Sequence, residues 1–218
     1  MHGPCDAAAM PITIACLHTA ASNAPLFDAA AAGLPGGAVR LTHHVRADLL
    51  REPTSELLEA AAAQLREMAW HADAVLLTCS TIGGAMDLAT DAPRPVLRAD
   101  AALAEAATRP GGMVQVLYAA PSTRAPTQAL FEAAAARTGA TIHLRLVENA
   151  WPLFLAGDIA AYHAGIARAA KDLPGRIVLA QASMAGAAAL FPQAPPLTVP
   201  AIGVMAAARA ATQARKMR

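Results

Sequence analysis

Leu76-Leu77-Thr78-Cys79-Ser80-Thr81-Ile82-Gly83-Gly84 passes from an apolar strand directly into a polar turn and a helix start, with a thiol at the junction. Short apolar runs of this kind alternate with longer amphipathic segments along the chain, as in a parallel sheet with helices on its faces. Around this stretch the first half predicts strands at 12–17, 39–43, 74–78 and 95–97, and helices at 24–32, 54–69, 82–89 and 99–107. Arg109-Pro110-Gly111-Gly112 then breaks the pattern. The second half repeats the order, with strands at 113–119, 142–147, 177–180 and 197–199 and helices at 124–138, 160–171, 184–190 and 204–214.

The repetition is visible in the residues. An offset of 102, from Cys79 to Gln181, lays Val75-Leu76-Leu77 on Ile177-Val178-Leu179, Leu41–Val45 on His143–Val147, and His18 on Ala120. An internal duplication predicts two pseudo-symmetric, doubly wound α/β domains of Rossmann-like architecture. Their expected extents are 10–97 and 98–202, with a last helix at 203–218 packing back on the first. Open α/β sheets bind ligands beyond the carboxyl ends of their strands, so the loops after the strands are the place to look, in a cleft between the domains. Short crossings would form a hinge that lets the halves close on substrate.

Composition narrows the classes of partner. The chain has 218 residues, enough to bury roughly 70% of its unfolded surface without staples. With a formal net charge of +1 and no basic cluster interleaved with aromatics, neither a nucleic-acid groove nor a membrane surface is expected. Apolar runs fall short of a membrane span of ~18 residues, and Met1–Ala9 lacks a basic start followed by an apolar run, so no secretory leader is read. Three cysteines, Cys5, Cys16 and Cys79, form no paired motif, which fits a reducing cytoplasm rather than a disulfide framework or zinc cluster. No glycine-rich nucleotide signature is present, and the histidines lack metal-ligand spacing, so neither cofactor nor metal is expected. The expected partner is a small molecule. Alanine-rich helix faces also make a homodimer plausible.

Cys79 is the leading chemical candidate. A cysteine at a helix N-terminus meets the positive end of the helix dipole and unpaired N–H groups, which favour the thiolate. A free cysteine is otherwise most often a small buried hydrophobe, the reading given to Cys16 and Cys5. His18 is a candidate at the end of the first strand, whereas His43 and His44 suit strand-end capping. Arg46 with Asp48, and Arg98 with Asp100, suit structural ion pairs.

Thr78-Cys79-Ser80-Thr81 resembles the first cysteine motif of the cofactor-independent aspartate, glutamate and hydantoin racemases. The resemblance runs along nearly the whole chain through Pro95-Val96-Leu97-Arg98-Ala99-Asp100, Ala120-Pro121-Ser122-Thr123, and Ile177-Val178-Leu179-Ala180-Gln181-Ala182-Ser183-Met184. It implies an isomerase-type enzyme acting on a small carboxylate such as an amino acid, a hydantoin or a diacid. Cys79 would be acid/base or nucleophile, with Thr19, Ser80, Thr81, Ser122, Thr123, Ala182 and Ser183 around the substrate. Gln181 stands where these racemases carry their second cysteine, and an amide has no useful proton affinity. Gln181 would then orient the substrate, and the second proton in a stereoinversion would have to come from His18, His43 or the substrate itself. Arylmalonate decarboxylases of the same superfamily also keep one cysteine, but in the second half. A decarboxylase, a lyase or a non-catalytic carboxylate-binding module therefore stands beside the racemase reading.

Overall fold

The computed structural model describes residues 10–34 and 39–217. Cys5 lies outside them. The first sheet holds β1 (Ile12–His18), β2 (Val39–Val45), β3 (Ala74–Leu77) and β4 (Val96–Arg98) in the order β2-β1-β3-β4. The second holds β5 (Met113–Tyr118), β6 (Thr141–Leu146), β7 (Arg176–Leu179) and β8 (Leu197–Thr198) in the equivalent order β6-β5-β7-β8. All pairings are parallel. This is the two-domain α/β architecture expected from the sequence.

The helices are α1 (Ala24–Ala32), α2 (Ser55–His71), α3 (Ala85–Leu88), α4 (Ala99–Thr108), α5 (Arg124–Ala136), α6 (Ala150–Leu155), α7 (Ile159–Ala170) and α8 (Val199–Lys216). Thr54 opens α2 and Thr198 opens α8, each hydroxyl accepting from a backbone N–H three residues on. The segment expected as a helix at 184–190 is instead 3₁₀, over Ala182–Leu190. The last helix begins at Val199 rather than at 203 or 204, because Pro200 sits in its first turn, where proline's missing N–H costs nothing.

Strand alternation sorts the side chains into three layers. On β1, Ile14 and Cys16 face a central core while Ala15 and Leu17 face an outer one with α2; on β3, Ala74 and Leu76 face inward and Val75 and Leu77 outward. In the second sheet Val114, Val116 and Val178 join the same central core, and Leu117 and Leu179 pack outward on Tyr162 and Ile166 of α7. The central core thus draws on both sheets through α4 and α8. Gly203 allows a close approach between them: a Cβ there would lie 2.9 Å from the Ala99 Cβ. α8 packs on β1, β3 and α1 as well as on α4, and α4 packs on α5. The two halves therefore share a continuous core through α4 and α8.

The register corrects the duplication. Cys16, His43 and Leu76 are aligned neighbours in the first sheet, and Val116, Leu144 and Val178 are the equivalent set in the second. The offset grows from 100 through 101 to 102 along the chain. His18 therefore corresponds to Tyr118 rather than to Ala120, while Cys79 keeps Gln181 as its counterpart. The backbone repeats the match: Thr78 N donates to Leu17 O, and Ala180 N to Leu117 O.

Candidate active site

A cavity of about 380 Å³ opens where the carboxyl ends of both sets of strands converge. The first half contributes Thr19, Ser22, Asn23, Thr78, Cys79, Ser80 and Thr81, and the second Thr123, Ala180, Gln181, Ala182 and Ser183. An apolar wall of Leu50, Trp151, Phe154 and Leu155 completes it. Trp151 and Phe154 stack with centroids 5.0 Å apart. No Asp, Glu, Lys, Arg or His belongs to the lining among the described residues.

Cys79 is half-buried and borders the cavity while its other side packs on the outer core beside β3. The helix expected at 82–89 is reduced to the four residues of α3, preceded by i→i+3 turns such as Gly83 N to Ser80 O, 3.1 Å. Gly83-Gly84 has low helix propensity, and a single turn sums little dipole. The dipole argument for Cys79 therefore fails. The nearby charge is Arg98, whose guanidinium lies against Gly83 so closely that a Cβ there would overlap it. Burial alone would lower the Arg98 pKa, but hydrogen bonds and charge from Asp100, with the charges of Asp87 and Cys79, hold it above its ordinary value. The fork binds Asp100 through Nε at 3.0 Å and Nη2 at 2.7 Å, as Arg46 binds Asp48 at 2.8 and 2.7 Å.

Gln181 is anchored on the other side of the cavity. Its Oε1 accepts from Ala119 N at 2.6 Å and Ala120 N at 3.0 Å. The acceptor is thus fully used, and Nε2, which takes no hydrogen bond among the described residues, is left as a donor. The hydroxyls divide in the same way. Thr123 Oγ1 donates to Ala120 O at 2.8 Å, so its proton is committed. Ser183 Oγ pairs with Tyr162 Oη at 2.9 Å, and His163 Nε2 meets Ser183 O at 3.0 Å. Burial pushes Tyr162 up to about 12, against the opposing effect of the Ser183 hydrogen bond. Thr19, Ser80 and Thr81 make no side-chain hydrogen bond among the described residues. Ser122 is exposed and lies outside the lining, because the 3₁₀ turn Pro121–Thr123 turns Thr123 inward instead.

His18 is fully buried and does not line the cavity. Its Nδ1 lies 2.7 Å from Thr78 Oγ1, which also reaches Leu17 O at 2.9 Å, and its Nε2 lies 2.8 Å from His43 Nδ1. Burial and the neighbouring His43 push its pKa down to about 4, against the pull of Asp28. It therefore sits neutral behind Thr78, one residue from Cys79. Glu148 and Asn149 are exposed, and Asn149 takes a left-handed φ of 60° ahead of α6.

Sequence reasoning missed Asn23, Leu50 and the wall on α6. With the corrected offset of 100, Asn23 is the counterpart of Thr123, so the duplication carried a signal for it. The wall was legible as Trp151-Pro152-Leu153-Phe154-Leu155, an apolar run opened by a proline in a first helical turn.

No family model matches the sequence, and no curated protein does. Solved structures match over most of the chain. Aspartate racemase from Picrophilus torridus aligns with TM-score 0.70 at 10% identity, covering 94% of each chain. Allantoin racemase from Klebsiella pneumoniae aligns with TM-score 0.64 at 16% identity, over 94% of this chain and 88% of that one. An unliganded arylmalonate decarboxylase aligns with TM-score 0.54 at 14% identity, over 93% of each. The chain shares its fold with these racemases and with the decarboxylase.

Proposed function

We propose that this chain is an enzyme of the aspartate/glutamate/hydantoin racemase superfamily, one that moves a proton at the carbon beside a carboxylate or amide carbonyl with Cys79 as its sole acid/base. One observation carries the reading: among the described residues, the lining holds one thiol, Cys79, and no carboxylate, imidazole or amine that could serve as acid/base in its place. The names of the matched structures, two racemases and a decarboxylase, agree with proton chemistry at such a carbon.

On an amino acid or hydantoin, the thiolate takes the α-proton, the electron pair moves onto the carbonyl oxygen, and the same sulfur, after exchanging its proton with solvent, returns one to the same face, so the α-hydrogen exchanges without inversion. On a malonate, the C–C bond breaks, CO₂ leaves, and the remaining carbanion takes its proton from the Cys79 thiol. Both need donors aimed at the developing oxyanion. Gln181 Nε2 and the uncommitted hydroxyls of Thr19, Ser80 and Thr81 fill that role, with Ala182 and Ser183 closing the pocket floor. Thr123 shapes the loop through its bond to Ala120 and does not donate to substrate. His18 acts on the position of Thr78.

The uncharged lining and aromatic wall favour a substrate whose remaining substituent is apolar rather than acidic. With no second base in the lining among the described residues, proton return to one face is expected, so the one-sided reactions, decarboxylation or isomerisation, fit better than racemisation. The division into 10–97 and 98–202, with the final helix returning to the first domain, is part of this proposal.

Peptide-resolved iodoacetamide labelling at pH 7 tests the site, with phenylmalonate, phenylhydantoin and aspartate as protecting probes. Labelling at Cys79 that slows several-fold with phenylmalonate or phenylhydantoin supports the reading. An inert Cys79 in a protein that still binds these probes would make it a carboxylate-binding module instead.

A further inference from the structure

Strand register gathers a second cluster on the inner face of the first sheet. Cys16 and His18 are two residues apart on β1 and share that face, and His43 is the direct β2 neighbour of Cys16. Their donor atoms lie within 4.8 Å of one another. We propose that Cys16 Sγ, His18 Nε2 and His43 Nδ1 form a three-ligand site for a soft or borderline transition-metal ion, zinc(II) or copper(I). Thiolate with imidazole is the donor set such ions prefer.

The outer hydrogen bonds supply the second, independent argument. A metal-bound imidazole is normally fixed by a hydrogen bond from its other nitrogen to a carboxylate or an oxygen. His43 Nε2 lies 3.0 Å from Asp28 Oδ1, and His18 Nδ1 lies 2.7 Å from Thr78 Oγ1, whose own proton has Leu17 O at 2.9 Å as acceptor. Both rings are therefore held with the proposed ligand nitrogens facing each other, 2.8 Å apart. With metal–nitrogen bonds of about 2.0–2.1 Å in a tetrahedral site, that gap opens only to about 3.3 Å.

Proton accounting closes. Burial, with Asp28, pushes the Cys16 thiol up to about 12, so the ion must displace one proton from sulfur to solvent. In the proton-neutral chain each imidazole carries one hydrogen. On binding, the His18 hydrogen shifts from Nε2 to Nδ1 and Thr78 donates to Leu17 O, with no further proton lost. Entry is past His43 and Asp28, whose side chains are 19% and 60% exposed. The sequence hid the site because its ligands meet across two strands, so no linear spacing reveals them.

The test uses the full chain carrying Cys5→Ser and Cys79→Ser, leaving Cys16 as the sole thiol. Cobalt(II) stands in for zinc, and copper(I) is delivered in competition with a chromophoric chelator. One equivalent of cobalt is expected to give a thiolate-to-metal charge-transfer band that Cys16→Ser abolishes. Asp28→Asn, at an exposed position, should weaken the metal about 10–100-fold with an unchanged circular dichroism spectrum. Cys16-dependent binding of copper alone supports the site and assigns it to copper. Absence of both signals in the folded sole-cysteine protein overturns the proposal, as does metal binding unaffected by Cys16→Ser and His43→Gln.

Discussion

Replacing Gln181 by leucine removes the one acceptor shared by the N–H groups of Ala119 and Ala120. These alanines are 1% and 2% exposed, so neither donor can turn to bulk water. An unpaired buried donor costs about 1–3 kcal/mol, which sets an upper range of about 2–6 kcal/mol for the pair. Water entering from the adjoining cavity recovers part of this, leaving an expected loss of about 2–3 kcal/mol. At this chain length that corresponds to a fall in Tm of roughly 4–12 °C. Gln181→Glu keeps an acceptor for both N–H groups and should stay within about 1 kcal/mol of the native protein at pH 7. Urea unfolding of the three proteins side by side measures both differences. A Gln181→Leu protein within about 0.5 kcal/mol of wild type would refute the role assigned to Oε1, and with it the argument that Nε2 is free for substrate.

The Gln181→Cys variant places a second thiol opposite Cys79, so racemisation of a substrate that the native protein handles on one face should appear on chiral chromatography despite the weakened loop. Gly203→Val drives a branched side chain into Ala99 and Leu76, at 2.9 and 3.4 Å from the first added carbon, and should cost about 1–3 kcal/mol in chemical unfolding. Cys16, fully buried with a thiol pushed up to about 12, should resist alkylation in the native protein at pH 8 while Cys79 reacts, as mass spectrometry of the labelled peptides would report. His18 has a folded pKa near 4, below its ordinary 6.5, so the unfolded chain binds the extra proton first. Its contribution is therefore present above pH 6.5 and lost as pH falls toward 4, by up to about 3 kcal/mol. With a chelator present, the difference in unfolding free energy between wild type and His18→Gln should shrink across that window.

The strands and their repetition were legible because buried parallel strands are short apolar runs, and Ile14, Leu76, Val116 and Val178 mark their centres. What failed was local. Gly83-Gly84 reduced a helix to one turn, and with it went the dipole expected to act on Cys79. Drift of the duplication offset misplaced His18 on Ala120 and concealed Asn23, because loop lengths differ between the halves while the pairing does not. Commitment of the Thr123 proton to Ala120 O, and burial of His18 behind Thr78, depend on side-chain geometry that no linear pattern encodes. The correspondence of Cys79 with Gln181 held because both lie two residues past the aligned Leu77 and Leu179, where a strand end fixes position most firmly.

Proton exchange in D₂O tests the central claim most directly. Single enantiomers of phenylhydantoin and phenylalanine, together with methylphenylmalonate, are incubated with native protein and Cys79→Ala and followed by NMR and chiral chromatography. The account predicts deuterium at the α-carbon of at least one probe, with a single configuration retained or formed, and loss of about 10²–10⁴-fold in Cys79→Ala. Exchange that survives in Cys79→Ala within a few-fold, or inversion by the native protein at the rate of exchange, would contradict a single sulfur base.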